Sequence, residues 1–436
     1  IAEAITKMAF GNKIGVQLNS IPTSATIIGF HRNANDTIAD LFTPQYGSII
    51  VETDDPKFEN GGFVNTTVLR IGNTQKDPII SFEMKGVDPL PKAEIKLSDL
   101  YEAWEARIAK VFPPVSSIKK NENLPDWATA EHTSLVENRA KASSFTVIDA
   151  SKAKPRVIVP VFPGTNCEYD MARAFNLNGA DTKIMVFRNR TPEDLSQSLK
   201  DFAKEIKAAQ ILAFSGGFSS GDEPDGSGKY IANVIREKQV ANAIMDLLKN
   251  RDGLVLGICN GFQALIKTGL VPYGEIRDMT ESTPTLTFNK VGRLVSRVTR
   301  TRIVSAKSPW ALDKSILEPK MHLIPVSHGE GRIVMDKDLA KKLFQEGQVF
   351  TQYVDESGMP SITEPDNPNG SLFAIEGLTS PDGHVLGKMG HNERTVGLDA
   401  NGSSRDLIKN IAVEGIESKN ENSCQNIFRA GVAYFA

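Results

Sequence analysis

The chain has 436 residues, of which 50 are Lys or Arg and 53 are Asp or Glu, so its formal net charge is −3. At the usual ~100–200 residues per domain, this length predicts two to four domains, and a content of 40% hydrophobic and 24% charged residues excludes a disordered or fibrous chain. The near-neutral balance gives no global field that would attract nucleic acid or acidic membranes, and no apolar run approaches the roughly 20 residues that span a bilayer. Three cysteines without a CxxC pair argue against a cysteine zinc site and suit a reducing cytoplasm.

Residues 1–112 have the pattern of an α+β domain. Five strand-like runs are separated by turns rich in Pro, Gly, Asn and Asp: Lys13–Leu18, Ala25–Phe30, Ser48–Glu52, Thr66–Ile71 and Ile79–Met84. A helix with Ser98 as its N-cap follows, and its apolar face has spacings of three and four, formed by Leu97, Leu100, Tyr101, Trp104, Ile108 and Val111. The chain opens on Ile1 rather than Met, which predicts a piece of a longer chain.

Residues 113–155 predict a tethering linker with room for one short helix, because they are rich in Pro, Ser, Lys, Asn and Glu and show little periodicity. From residue 156 onward, short apolar runs alternate with amphipathic stretches. The predicted strands are Arg156–Phe162, Lys183–Phe187, Gln210–Phe214 and Gly253–Ile258. The predicted helices are Glu168–Leu177, one capped by Thr191, and a long one over Lys229–Leu248. This alternation indicates an α/β fold with a doubly wound parallel sheet.

A cysteine follows the last of these strands, in the segment Gly257–Gln263 (GICNGFQ). Gly-x-Cys-x-Gly between a strand and a helix is the cysteine form of the nucleophile elbow, in which the glycines relieve crowding around a sharp turn. The helix N-terminus behind Cys259 favours a thiolate. The alternative is a buried cysteine beside a tight turn.

A nucleophilic thiol needs a base, an orienting group and an oxyanion site. His391 and Glu393 follow a strand-like run at Val385–Met389, and in an extended segment they would share one face, which suits a Cys–His–Glu relay. An exposed His/Glu pair is the competing interpretation, and His328 is a rival base. Backbone N–H groups of Gly216–Gly217 and after Cys259 would form the oxyanion hole.

These residues resemble the class I (triad) glutamine amidotransferases, and more narrowly the glutaminase domains of formylglycinamide ribonucleotide amidotransferases of purine biosynthesis. The similarity runs from about residue 156 to the C-terminus. Its motifs are Pro163–Cys167, Ser215–Ser219, Gly221–Lys229, Cys259–Gln263, Ser327–Gly331, Asn367–Ser371 and His391-x-Glu393.

The resemblance implies a flavodoxin-like glutaminase domain over residues 156–436, in which Cys259 attacks the glutamine side-chain amide. His391 would be the base, oriented by Glu393. Substrate-binding and oxyanion residues would be Gly216, Gly217, Phe218, Asn260, Gln263 and His328, with no metal. The family usually has prolines on both sides of the histidine, where this chain has Gly390 and Asn392.

Residues 1–112 resemble, more weakly, the final part of the aminoimidazole-ribonucleotide-synthetase-like half of the large, single-chain form of that enzyme, through Ala9–Asn12 and Gly47–Glu52. The resemblance implies that glutamine is hydrolysed here without a cofactor. ATP, magnesium and formylglycinamide ribonucleotide would be bound by synthetase regions that lie mostly upstream of Ile1. The alternatives are a cysteine hydrolase or amidotransferase with another acceptor, and a non-enzymatic subunit with a vestigial site.

Other signals point to structure rather than chemistry. Gly226–Lys229 fails as a phosphate loop, because Tyr230 stands where Ser or Thr should bind magnesium. Cys167 and Cys424 are interpreted as packing residues, and Ile427–Phe435 as a docked tail. The basic stretch Arg293–Arg302 predicts a strand with a charged, exposed face.

Overall fold

The computed structural model describes residues 1–19, 41–58, 66–82, 93–107, 109, 124–130, 154–219, 228–317, 321–398, 404–406 and 425–435. The described residues form two compact units, one within residues 1–114 and the other from residue 115 onward. The strand expected at Ala25–Phe30 lies outside the described residues, as do Cys424 and most of the Gly221–Lys229 segment.

The first unit is a small mixed sheet with two helices. Its elements are α1 Ala2–Asn12, β1 Gly15–Leu18, β2 Gly72–Gln75, β3 Ile79–Phe82, β4 Ala93–Lys96 and α2 Leu97–Ala106. The sheet order is β2-β1-β3-β4, with β1 and β3 parallel and the other pairs antiparallel. Its core consists of Ile5, Ala9, Leu18, Leu41, Ile80 and Leu97.

Two of the strand predictions for this unit are wrong. Ser48–Glu52 forms no ladder: Ile49 is 85% exposed, whereas Ile50 packs against the core of the unit. Thr66–Ile71 is also irregular, and pairing begins only at Gly72, opposite Leu18. An alternating pattern marks a strand only where a partner edge is available to satisfy its backbone.

The helix α2 differs from expectation at its start and on its face. It begins at Leu97 with Lys96 at the N-cap, and the Ser98 hydroxyl donates to Asp99 Oδ1 at 3.0 Å instead of capping. Trp104 is 54% exposed and contacts the ring of Phe10, with centroids 5.8 Å apart. Phe10 belongs to α1, a helix that the sequence analysis did not predict.

The second unit contains a nine-stranded sheet. The strands of this sheet and of two separate two-stranded sheets (β9 with β12, and β16 with β17) are β5 Arg156–Val161, β6 Asp181–Val186, β7 Ile211–Phe214, β8 Leu254–Ile258, β9 Thr285–Thr287, β10 Val295–Ile303, β11 His322–His328, β12 Arg332–Val334, β13 Val349–Tyr353, β14 Ile375–Thr379, β15 Val385–Lys388, β16 Val396–Leu398 and β17 Ser404–Asp406. The helices are α3 Asp126–Thr129, α4 Glu168–Leu177, α5 Pro192–Ala208, α6 Lys229–Arg236, α7 Lys238–Lys249, α8 Asn260–Thr268, α9 Leu270–Tyr273, α10 Lys314–Leu317, α11 Lys337–Gln345 and α12 Ile427–Ala433.

The strand order explains where a site can form. The large sheet runs β11-β10-β13-β14-β15-β8-β7-β5-β6, and β15, β8, β7, β5 and β6 are mutually parallel. The first four parallel strands along the chain are therefore arranged 2-1-3-4, which is the flavodoxin-like order. Ligands in such sheets bind beyond the carboxyl ends of the strands, next to the point where the order reverses, here between β5 and β7.

The single long helix predicted over Lys229–Leu248 is divided into two helices. α6 and α7 are separated at Glu237, whose φ of −58° and ψ of 127° are extended. The two halves pack on different partners, α6 on α8 and α7 on α5, so a straight helix could not satisfy both contacts. The other expected α/β elements of this unit occur within a few residues of their predicted bounds, including the Thr191 cap, whose side chain accepts from the Asp194 N–H.

The basic strand β10 is exposed in its first half, where Arg297 faces solvent, and buried in its second half. It lies between β11 and β13, and Arg302 is buried against Gln352, whose Oε1 accepts from two guanidinium nitrogens at 2.9 and 3.2 Å. Arg302 also donates to the backbone oxygen of Thr129 at 2.9 Å. Because the second half of β10 is buried, the guanidinium of Arg302 needs internal acceptors.

The short helix α3 in the expected linker packs against this unit, with Trp127 edge-on to Phe373 at 4.8 Å between ring centroids. The C-terminal segment also docks: Phe428 is fully buried and its ring lies 5.0 Å from that of Phe175. Among the described residues, no helix has the length and apolar character needed to cross a membrane.

The docked C-terminal helix predicts a stability effect. Phe428→Ala should lower the free energy of unfolding by about 3–5 kcal/mol, because it leaves a cavity in the core. Phe288→Ala, at a side chain that is 48% exposed, is the matched control and should change it by less than about 1 kcal/mol. Urea denaturation of both variants measures the difference, and equal small losses would mean that α12 is not part of the cooperative core.

Candidate active site

Cys259 sits on the sharp turn between β8 and α8, with φ 53° and ψ −107°. This conformation is strained for a residue with a Cβ. A Cβ on Gly257 would lie 2.8 Å from the Gly261 backbone, and a Cβ on Gly261 would lie 2.2 Å from the Phe214 carbonyl oxygen. Both glycines are therefore required by the close approach of the strand, the turn and the helix, as expected for a nucleophile elbow.

His391 and Glu393 follow β15, which pairs directly with β8. His391 Nδ1 lies 2.6 Å from Glu393 Oε1, and both side chains are buried. The segment is a 3₁₀ turn over Asn392–Arg394 rather than the extended backbone assumed from the sequence, so the turn and not strand alternation brings the two side chains together.

His391 is bonded to Glu393 and lies beside Cys259, and its Nε2 has no hydrogen-bond partner among the described residues. Burial disfavours its charged form, but the negative charge of Glu393 and the neighbouring thiols outweigh burial, so its pKa is raised well above the ordinary value. Gly216 permits this approach, because a Cβ there would lie 2.8 Å from His391 Cε1 and 3.4 Å from Cys259 Cβ. The three side chains thus form a buried thiol–imidazole–carboxylate chain.

Of the predicted substrate and oxyanion residues, Gly216 lies against Cys259 and Asn260 follows it in the chain. Gly217 has φ +150°, and a Cβ there would lie 2.5 Å from the Gly164 carbonyl oxygen. Gln263 is tied down by two contacts: its Oε1 accepts from Asn260 Nδ2 at 2.9 Å, and its Nε2 donates to the Glu330 carbonyl at 2.5 Å. Phe218 is 42% exposed at the rim.

His328 also reaches the site but is unsuited to be the base. Its side chain is buried, and burial together with the charge of His391 lowers its pKa to about 3. A histidine with such a pKa stays neutral at physiological pH and is a poor proton acceptor. Neither of its ring nitrogens has a hydrogen-bond partner among the described residues.

Cys167 is 1% exposed, as expected for a packing residue, but it also lies beside the imidazole of His391. Its Sγ lies 3.9 Å from His391 Nδ1, accepts from Arg394 Nη2 at 3.3 Å and donates to Asn166 Oδ1 at 3.0 Å. The signal was available in the sequence, because Cys167 follows β5 and the carboxyl ends of parallel strands meet at one edge. Among the described residues, the group with metal-ligand character is Cys167, His391 and Glu393.

A buried ion pair supports the histidine turn, and the sequence analysis missed it. Lys388 Nζ lies 3.2 Å from Glu376 Oε1, and both side chains are fully buried. Glu376 also accepts from the Gly390 N–H at 2.6 Å and from the Thr351 hydroxyl. The charges are thus matched and hydrogen-bonded, which a buried pair requires.

The same network holds the residues on both sides of the histidine. Asn392 accepts from Lys388 at 2.7 Å and donates to the Gln425 carbonyl at 2.6 Å. A Cβ on Gly390 would lie 2.2 Å from Ile324 Cγ2, and a proline there would also lack the N–H that Glu376 binds. Hydrogen bonds, not fixed φ angles, hold the turn in this chain.

The ion pair predicts a non-additive pair of substitutions. Lys388→Met should cost about 3–5 kcal/mol of unfolding free energy, because it leaves the Glu376 carboxylate buried without its counter-charge. The double variant Lys388→Met with Glu376→Leu should recover most of that loss. Denaturation of the single and double variants gives the coupling energy, and a double variant no more stable than Lys388→Met would contradict the pairing.

The neutral His328 predicts an acid-dependent loss of stability. Its folded pKa of about 3 lies below the unfolded value of about 6.5, so the unfolded state binds more protons and stability falls as the pH drops from 6.5 toward 3. Between pH 6.5 and 5 this amounts to about 2 kcal/mol. His328→Asn should lack that contribution, and comparing denaturation curves at the two pH values isolates it from any packing effect. If the native chain and His328→Asn lost the same stability between the two pH values, the prediction for His328 would be wrong.

The chain was compared with known proteins. Residues 154–435 match the family described as the CobB/CobQ-like glutamine amidotransferase domain. The chain is similar to the phosphoribosylformylglycinamidine synthase subunit PurQ of Dehalococcoides mccartyi, at 35% identity over 244 residues, which cover 56% of this chain and 87% of that protein. PurQ of Treponema denticola is 33% identical over 298 residues, covering 64% of this chain and 99% of that protein.

Among solved structures, PurLQS from Thermotoga maritima aligns at a TM-score of 0.43 and 23% identity, over 65% of this chain and 100% of that chain. The doubly wound α/β class expected from the sequence is confirmed by the strand order and the family match. Because that match spans well over half of its length, the chain belongs to the CobB/CobQ-like glutamine amidotransferase family.

Proposed function

We propose that residues 156–436 hydrolyse glutamine to glutamate and ammonia through a thioester on Cys259. The observation that carries the proposal is a buried thiol on a strained elbow, next to an imidazole held at 2.6 Å by a carboxylate. The PurQ relatives, 35% and 33% identical, support glutamine as the substrate.

The reaction begins with proton transfer. His391 Nε2 takes the thiol proton, and Glu393 fixes the other proton on Nδ1 and stabilises the imidazolium. The thiolate attacks the amide carbon of glutamine, and the backbone N–H groups of Gly217 and Asn260 bind the oxyanion. His391 then protonates the leaving nitrogen, so ammonia departs and the γ-glutamyl thioester remains.

Hydrolysis repeats the sequence with water. His391 takes a proton from the attacking water, the thioester carbon becomes tetrahedral again, and collapse expels the Cys259 sulfur and releases glutamate. The rim residue Phe218 and the fixed amide of Gln263 are proposed to bind the substrate, and His328 is proposed to line the site as a neutral group.

We further propose that the ammonia feeds an ATP-dependent conversion of formylglycinamide ribonucleotide to formylglycinamidine ribonucleotide. In this proposal, residues 1–112 are a synthetase-type domain, residues 113–155 a linker, and the chain corresponds to the C-terminal portion of a large-type enzyme. ATP, magnesium and the ribonucleotide would be bound mostly by regions outside this chain, or by a partner that supplies them. The family match begins only at residue 154, which leaves the front of the chain for such a role.

An electrophilic glutamine analogue tests the proposal. It should alkylate Cys259, and peptide mass spectrometry should find the adduct there; Cys259→Ser should lose the label and Cys167→Ser should keep it. His391→Asn should lower kcat for glutamine by about 10²–10⁴-fold, the usual worth of a general base.

Three outcomes would contradict the proposal. A label on Cys167 alone would show that the nucleophile is Cys167 and not Cys259. Rapid hydrolysis of esters or peptides with glutamine ignored would favour a cysteine hydrolase with another substrate. Equal glutaminase rates for the native chain and Cys259→Ser would indicate a vestigial site.

A further inference from the structure

The triad shares its imidazole with a second thiol. Cys167 Sγ, His391 Nδ1 and a carboxylate oxygen of Glu393 all lie within 4.8 Å of one another, and all three side chains are buried. Cys167 is not required by the proposed reaction, because Cys259 supplies the nucleophile. The cluster therefore offers one sulfur, one nitrogen and one oxygen donor at a single buried point.

The donor set selects a class of ligand. A thiolate, an imidazole and a carboxylate are the ligands that zinc takes in three-residue sites, at about 2.3, 2.1 and 2.1 Å. The Sγ–Nδ1 separation is 3.9 Å, whereas Nδ1 and Oε1 are 2.6 Å apart. To bind one tetrahedral ion, Nδ1 and Oε1 would have to move apart from their present positions by less than about 1 Å.

The surrounding charges and spare donor atoms fit such an ion. Glu393 Oε2 is buried and has no hydrogen-bond partner among the described residues, so one carboxylate oxygen is left over. Arg394 donates to Cys167 Sγ at 3.3 Å, an outer contact that fixes the position of the sulfur. Thiolate and carboxylate together balance a divalent charge.

We propose that Cys167, His391 and Glu393 form an inhibitory site for a thiophilic divalent cation of the zinc type. Binding displaces the proton of the Cys167 thiol, which passes to water. The single proton of the neutral imidazole moves from Nδ1, which now binds the metal, to Nε2. An Nε2–H cannot accept the proton of Cys259, so the metal-bound triad is held in the inactive tautomer.

Cobalt(II) is the probe that reports on the sulfur ligand. The chelator-treated full chain should bind one Co²⁺ with a thiolate-to-cobalt charge-transfer band in the near ultraviolet. Cys167→Ser should lose the band, whereas Cys259→Ser and Cys424→Ser, which remove the other two thiols, should keep it. This readout is independent of whether the chain hydrolyses glutamine.

Inhibition, which rests on the proposed glutaminase activity, gives the second measurement. Zn²⁺ should inhibit the native chain reversibly, with activity restored by chelator, and the inhibition constant should weaken at least tenfold in Cys167→Ser relative to that variant's own metal-free rate. A band lost in Cys259→Ser but kept in Cys167→Ser would overturn the proposal, and so would the absence of any charge-transfer band. Cobalt binding without glutaminase activity would refute the proposed function and leave the metal site standing.

Discussion

The buried ion pair between Lys388 and Glu376 is the interaction on which the geometry of the site depends. It lies at the end of the strand that pairs with the elbow strand, and both side chains are fully buried. Two buried charges are costly unless they are matched and fully hydrogen-bonded, and here the Gly390 N–H, the Thr351 hydroxyl and the Asn392 amide complete the matching. The bonds made by Gly390 and Asn392 also set the path of the turn that carries His391. The hydrogen bonds that the buried pair requires therefore also fix the position of the imidazole.

The second constraint is the shared edge of the parallel strands. The strands β5, β7, β8 and β15 deliver Cys167, Gly216, Cys259 and His391 to one place, because their carboxyl ends meet there. Space is the limiting quantity at this edge. Gly216 lies against three of these side chains, and a Cβ on it would be within 3.4 Å of His391, Cys167 and Cys259. A residue without a side chain is what lets two thiols and an imidazole converge.

Much of the α/β unit could be predicted from the sequence, because strand and helix periodicities there agree with the tertiary contacts. The elbow at Cys259, the cap at Thr191 and the docked C-terminal segment depend on local signals that the fold preserves. The wrong predictions concern segments whose structure depends on contacts with residues distant in sequence. Ser48–Glu52 lacks a partner edge, and Glu237 breaks a helix whose halves pack on different neighbours. Lys388 and Glu376 are 12 positions apart on two strands, and only pairing those strands reveals that two charged residues are interior.

Two thiols flank one imidazole, and their surroundings assign them different chemistry. Cys259 has the strained backbone of the elbow, φ 53°, at the start of a nine-residue helix, and its side chain is 6% exposed. Cys167 is 1% exposed and is already engaged by Asn166 and Arg394. Strain and access favour attack on a substrate by Cys259, whereas engagement and burial favour a fixed ligand role for Cys167. The two nitrogens of the His391 ring have different roles: Nε2 is the base, and Nδ1 is a hydrogen-bond donor. A ligand that binds at Nδ1 therefore determines whether Nε2 carries the proton. Control of the tautomer is thus the physical link between the second thiol and the reactivity of the first.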